Sequence, residues 1–174
     1  YKNSTSSSSS AKETVKKTKS ETQYPLTVKT YDDKGTELDQ VFKKAPEKVI
    51  TNNLSSTEIL IELGLKDKIV GMLNPWNSND IPVYTQKASV STTKQDLNNI
   101  IEDVKNIGDI FNVQDKADKY AGQLQKRIDA VKKKNKSSDK DLKKALIMCA
   151  YNDETFGTYK SALQESMLNQ LGYT

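Results

Sequence analysis

The stretch KVITNNLSSTEILIELGLKDKIVGM, residues 48 to 72, narrows the possible folds more than any other part of the chain. KVIT is short and apolar at its centre, as buried parallel strands tend to be. The loop that follows is built from Thr51, Asn52, Asn53, Ser55, Ser56 and Thr57. Ser55 to Glu58 fits a capping box, in which a hydroxyl and a carboxylate three residues on satisfy orphan N–H groups. Ile59, Leu60 and Leu63 then form an apolar helix face, and Gly64 stands where a helix end needs positive φ. KIVGM is a second strand. A strand, a helix and a strand so closely spaced make a compact βαβ unit.

The device recurs. IPVYTQ (81 to 86) reads as a third strand, so strands near 48–51, 69–72 and 81–86 are expected to share one parallel sheet. Thr92 to Gln95 is a second capping-box match. Leu97, Ile100, Ile101, Val104 and Ile107 follow at helical spacing, and Gly108 closes that helix. Asp115 starts a longer helix with Ala117, Tyr120, Ala121, Leu124, Ile128 and Val131 on one side. Its lysine-rich end suits the negative pole of the helix dipole. ALIMCAY (145 to 151) reads as a fourth strand, followed by the polar loop NDETFGTYK. A last helix runs from Ser161, with Leu163, Met167, Leu168 and Leu171, to Gly172. Ahead of all this, Leu26–Tyr31 and a segment near Val41 and Phe42 read as a half-exposed hairpin turning at Asp33, Lys34 and Gly35.

Residues 1 to 23 contain no Leu, Ile, Phe, Met or Trp. Such a segment buries too little surface to offset its ordering entropy and reads as a disordered tether. It holds five Lys and two Glu, a net of +3 out of the chain's +4. The basic balance is therefore a property of the tail and gives no reason to invoke nucleic acid. The chain has no histidine, which removes Ser-His-Asp and Cys-His catalysis and most zinc sites. Its single cysteine, Cys149, excludes a disulfide framework and reads as a small buried hydrophobe. No run approaches the roughly 20 apolar residues of a membrane span. Neither GxGxxG nor GxxxxGK[ST] occurs, so phosphate cradling has no support.

In open α/β sheets, ligands bind outside the carboxyl ends of the strands. The loops 51–57, 73–80, 87–92 and 152–160 are then candidates for one binding edge. The competing explanation is that Asn and Ser are good turn and cap residues.

FKKAPEKVITNNLSSTEILIELGLKDKIVGM resembles the substrate-binding proteins of bacterial iron-siderophore, haem and cobalamin ABC importers, the class III periplasmic binding proteins. TTKQDLNNIIEDVKNIGDIFNVQDKADKYAGQLQKRIDAV continues the resemblance, and ALIMCAYNDETFGTYKSALQESMLNQLGYT looks like the opening of the family's second lobe. The resemblance covers residues 26 to 174. It implies an α/β fold of two lobes with parallel sheets joined by one long helix, and a ligand held in the cleft between them. The organisation implied is a tether over 1–23, an N-terminal lobe over 24–112, a linking helix over 113–137 and the start of a C-terminal lobe over 138–174. It also implies a monomeric, non-enzymatic solute carrier with no cofactor of its own. The cargo would be a small metal chelate, with a ferric siderophore first and haem or cobalamin as alternatives. The partners would be a membrane permease and its ATPase. The place would be the outer face of a Gram-positive cell membrane, held by a lipid anchor on a cysteine outside this sequence.

On that reading Asn52, Asn53, Ser55, Asn74 and Trp76 meet the ligand from the first lobe, and Tyr151, Phe156 and Tyr159 from the second. Trp76, the only tryptophan, sits in a polar loop where an uncovered indole is costly. Asn52 and Asn53 either donate to ligand oxygens or cap the following helix. Tyrosine oxygen also suits haem iron. Met72 is an axial ligand or core; Asp153 and Glu154 meet a basic ligand or are only solvated. The competing classes are an α/β enzyme, such as a nucleotide-binding transferase, and a tethered structural or adhesive module.

The chain departs from the family between Met72 and Ile81, where the family carries another strand, helices and loops. A parallel crossover needs about a dozen residues or more. The resemblance therefore predicts a discontinuity between Trp76 and Ile81 and an unfinished second lobe after Thr174. The alternative is a short connection making 69–72 and 81–86 an antiparallel hairpin.

Overall fold

The computed structural model describes residues 21–72, 81–90, 92, 94–135, 143–152, 155–158 and 163–173. β1 (Leu26–Tyr31) and β2 (Glu37–Phe42) pair antiparallel, with Leu26 opposite Phe42 and Tyr31 opposite Glu37. Asp32 organises their turn: its carboxylate accepts from Thr36 N at 2.7 Å and Lys34 N at 2.9 Å. These bonds, the one from Thr36 foremost, hold the carboxyl below its usual range. Gly35 takes φ 78° to close the turn, a conformation glycine adopts without penalty. Alternation along β1 buries Val28 and Thr30 and leaves Lys29 outside, where it pairs with Asp39 and Glu37.

β3 (Val49–Thr51) and β4 (Ile69–Met72) pair in parallel, with a register irregularity between Val49 and Ile50. α1 (Leu54–Glu62) makes the crossover, followed by a 3-10 turn at Lys66–Lys68. Gly64 takes φ 72° just past the helix, as its position predicts. The compact βαβ unit is therefore present. α2 (Leu97–Ile110), α3 (Gln114–Asn135), the antiparallel pair β5 (Met148–Asn152) and β6 (Thr155–Thr158), and α4 (Leu163–Gln170) complete the order. α3 runs unbroken for 22 residues, the long helix that the spacing predicts.

The core joins the hairpin to the helices. Leu63 and Val104 have no exposure; Phe42, Leu60, Ile107, Ile110 and Ala117 are buried with them in one cluster. Each large side chain contributes roughly 1.5–3 kcal/mol on burial. The apolar side of α2 finds its cover on α3 and the hairpin, although only β3 and β4 form the parallel sheet among the described residues. Gly108 permits that packing: a Cβ there would stand 2.3 Å from Ala117 Cβ.

Several expectations need correction. Residues 81–86 are not a strand of the parallel sheet. They run beside the hairpin, Thr85 N donating to Thr30 Oγ1 at 2.8 Å, because side-chain bonds and not a backbone ladder hold them. α1 is capped by Asn53, not Ser55: Asn53 is extended and its side chain accepts from Ser56 N at 2.8 Å. α2 is capped by Asp96 and not by the Thr92–Gln95 box, since Asp96 reaches Asn98 N at 2.7 Å. Gly108 lies inside α2; the left-handed residue that ends the helix is Asn112, φ 55°, a residue type that tolerates this conformation. Asp115 sits inside the first turn of α3, whose first N–H groups bond to Val113 O. The fourth strand is 148–152, and the expected loop 152–160 contains β6, because Thr155–Thr158 folds back on β5. Thr22, placed in the tether, is bonded: its N donates to Asn112 Oδ1 at 2.8 Å and its hydroxyl to Asp109 O at 2.7 Å. The predicted discontinuity between Trp76 and Ile81 falls outside the described residues through Asp80.

Candidate ligand-binding edge

β3 and β4 run in parallel, so their carboxyl ends, Thr51 and Met72, open on the same edge. The loop leaving Thr51 is held by its own small polar groups. The Thr51 and Thr57 hydroxyls lie 2.8 Å apart, and Thr57 Oγ1 donates to Asn53 O at 3.0 Å. Asn53 Nδ2 donates to Asn52 Oδ1 at 2.8 Å. Asn53 therefore spends both ends of its amide inside the loop, in line with the cap alternative. Asn52 and Ser55 are exposed on the same edge. Ser56, a member of the polar loop but not among the expected ligand contacts, crosses to the next segment: its hydroxyl donates to Gln86 Oε1 at 2.9 Å.

The Gln86 segment is tied down from α2 by a carboxylate. Asp103 has no exposure. Its Oδ1 accepts from Tyr84 OH and from Lys87 N, both at 2.8 Å, and its Oδ2 accepts from Ala88 N at 2.9 Å. Burial pushes the Asp103 carboxyl above the usual carboxylate range, against the three donors, which pull it down. Burial also raises Tyr84 far above a normal phenol, helped by the Asp103 charge. Tyr84 thus stays protonated and able to donate, and its oxygen accepts from Asn106 Nδ2 at 3.0 Å. Gln95 Nε2 adds bonds to Val90 O at 2.6 Å and Lys87 O at 3.1 Å. The helical pattern of α2 marks Val104 and Ile107 as core but carries no signal for Asp103.

Of the residues singled out from sequence, Asn52, Asn53 and Ser55 are brought together on this edge. Met72 ends β4 at 59% exposure, so it is not core among the described residues. Tyr151 and Phe156 are opposed in the β5–β6 ladder, with their side chains outside the described atoms. Asn74, Trp76, Asp153, Glu154 and Tyr159 lie outside the described residues. Among the described residues no group of three or more His, Cys, Asp and Glu could hold a metal ion.

A concavity of about 290 Å³ lies away from this edge, where Lys94, Gln95 and Asp96 at the start of α2 face Glu165, Ser166 and Asn169 of α4. It is open and polar, and nothing in the sequence pattern pointed to it.

Residues 76–174 match the model of the family described as periplasmic binding protein. The structure is similar to that of a periplasmic binding protein from Veillonella parvula DSM 2008, with TM-score 0.69 and 17% identity, covering 88% of this chain and 66% of that one. It is also similar to an ABC-type Fe3+-hydroxamate transport system from Saccharomonospora viridis DSM 43017, with TM-score 0.51 and 16% identity, covering 64% of this chain and 57% of that one. The chain thus spans less than two thirds of the length of either structure. A comparison with curated proteins finds no match. The α/β architecture with a parallel strand pair and a long helix agrees with these neighbours, and the family match extends over more than half of the chain: this protein belongs to the periplasmic binding protein family.

Proposed function

We propose that this chain is part of the solute-binding component of an ABC importer, working outside the cytoplasm and capturing an iron complex for delivery to a membrane permease and its ATPase. The observation that carries this is the family match over 76–174 on a chain whose parallel strands open onto a loop of small polar residues. The family is one of solute carriers and not an enzyme class. A ferric siderophore is the preferred cargo; the hydroxamate named for the Saccharomonospora neighbour supports that choice. Attachment by a lipid anchor and a monomeric state belong to the same proposal. Among the described residues no helix is long and apolar enough to cross a membrane.

Asn52, Ser55 and Trp76 would face the cargo from one lobe, and Tyr151, Phe156 and Tyr159 from the other. The test is titration of the single tryptophan's fluorescence with a ferric trihydroxamate, haem and cobalamin. Saturable quenching by the trihydroxamate alone is the expected result. Saturation by haem or cobalamin would reassign the cargo, and no response to any of the three would overturn the proposal.

A further inference from the structure

Two loops of the candidate edge come from distant parts of the chain, and one buried side chain stands behind their meeting. Asp103 accepts from Tyr84, Lys87 and Ala88 on either side of Gln86, and Gln86 in turn receives the Ser56 hydroxyl. We propose that Asp103 is a positioning residue for the ligand edge: by clamping 84–88 to α2 it holds Gln86 against Ser56 and so sets the spacing between the segments 51–57 and 84–90. This rests on the proposed solute-binding function for its consequence, though not for its geometry.

Segment 81–86 has no strand ladder to fix it. Its placement rests on separate bonds: Thr30 Oγ1 holds Val83 O and Thr85 N, and Asp103 holds Tyr84 from within the segment and Lys87 and Ala88 just beyond it. Two of the three Asp103 donors are backbone N–H groups, so the carboxylate specifies the path of the chain and not only a side-chain rotamer. A hydrogen-bonded carboxylate of this kind is worth its burial only while every donor stays in place. Gln86 lies between Tyr84 and Lys87, both bound to Oδ1, so it has little freedom to leave Ser56.

The experiment compares wild type, Asp103→Asn, Tyr84→Phe and Gln86→Ala by amide hydrogen exchange and by titration with a ferric trihydroxamate. Asp103→Asn keeps the shape but turns an N–H₂ toward a backbone donor. Exchange should rise roughly tenfold at Lys87 and Ala88, the scale expected when a buried donor loses its partner, and by less at Ser56, whose hydroxyl loses its anchor on Gln86 while its N–H keeps Asn53 Oδ1. Amides of Ala117 and Ala121 on α3 should not change. Tyr84→Phe removes one donor and leaves the carboxylate with both backbone partners, so a smaller change at the same amides is expected even if the Asn variant does not fold. Gln86→Ala should loosen Ser56 and leave Lys87 and Ala88 protected. Affinity for the trihydroxamate should fall in the order in which Ser56 loosens. A rise spread over α3 as well would make Asp103 merely structural and overturn the proposal, as would loosening of 87 and 88 with Ser56 unmoved. Failure of wild type to bind the chelate would sink the functional proposal alone, because the exchange pattern reads the coupling without ligand.

Discussion

The hairpin β1–β2 and the parallel pair β3–β4 hold their apolar residues very differently. In the hairpin, Val28 and Phe42 are 8% and 5% exposed, against 45% for Val41 on the other side. In the parallel pair Ile50, Val70 and Met72 are 44%, 56% and 59% exposed, although this is the more continuously apolar sequence. An antiparallel hairpin needs cover on one face only, and its polar alternation supplies the other. A parallel pair is normally one part of a wider sheet with helices on both faces. Two strands with α1 as their crossover leave some apolar positions uncovered among the described residues. The difference shows that the hairpin carries its own packing rule, whereas the parallel pair borrows it from neighbours.

The largest effect should come from the covered side. Phe42→Ala removes a ring from the joint core of hairpin and helices and should cost about 3–5 kcal/mol. Denaturant unfolding measures it, and a loss near the size of a surface change would mean the hairpin is no better covered than the parallel pair. In the loop that leaves the parallel pair, Asn53→Ala should cost about 1 kcal/mol through loss of the cap. A thermal midpoint unchanged by this substitution, with ligand affinity reduced, would move Asn53 from cap to ligand contact. The smallest change should be Val70→Thr on the uncovered side, within about 0.5 kcal/mol. A large loss there would show that something covers β4 after all.

The Asp103 clamp sharpens the same comparison through pH. A carboxyl raised in the fold favours its protonated form there. Its stabilising contribution is fully present below the unfolded pKa and is lost as pH rises through the folded value. Wild type should therefore lose stability on this account as pH rises out of the acid range, and Asp103→Asn should lack that slope. The groups around the carboxyl are Tyr84, Lys87 and Glu102, with Tyr31 of β1 also within its field and Glu102 paired to Lys87 Nζ at 2.9 Å. Stability measured against pH for both proteins checks the sign, and parallel curves would contradict it.

Local patterns in the chain determined much of this protein. Period-3.6 spacing marked Val104, Ile107 and Ala117 as core, and the glycines at 64 and 172 as helix ends; all are found so, with φ 72° and 81° at the two glycines. The hairpin, the βαβ unit and the unbroken α3 were likewise legible, because each depends on bonds between near neighbours or on one helix face. Three things were decided only by the tertiary structure. Asn53 displaced Ser55 as cap because backbone geometry, not residue type, decides which side chain reaches Ser56 N. Residues 81–86 read as a strand from composition, but a strand exists only where a partner offers a ladder, and here the side chains of Thr30, Gln40 and Asp103 hold Thr85, Val83 and Tyr84 instead. The Asp103 clamp itself joins positions 15 to 19 residues apart. A buried acid is stable only when donors from elsewhere converge on it, and that convergence is a property of the folded chain that no spacing along the sequence records.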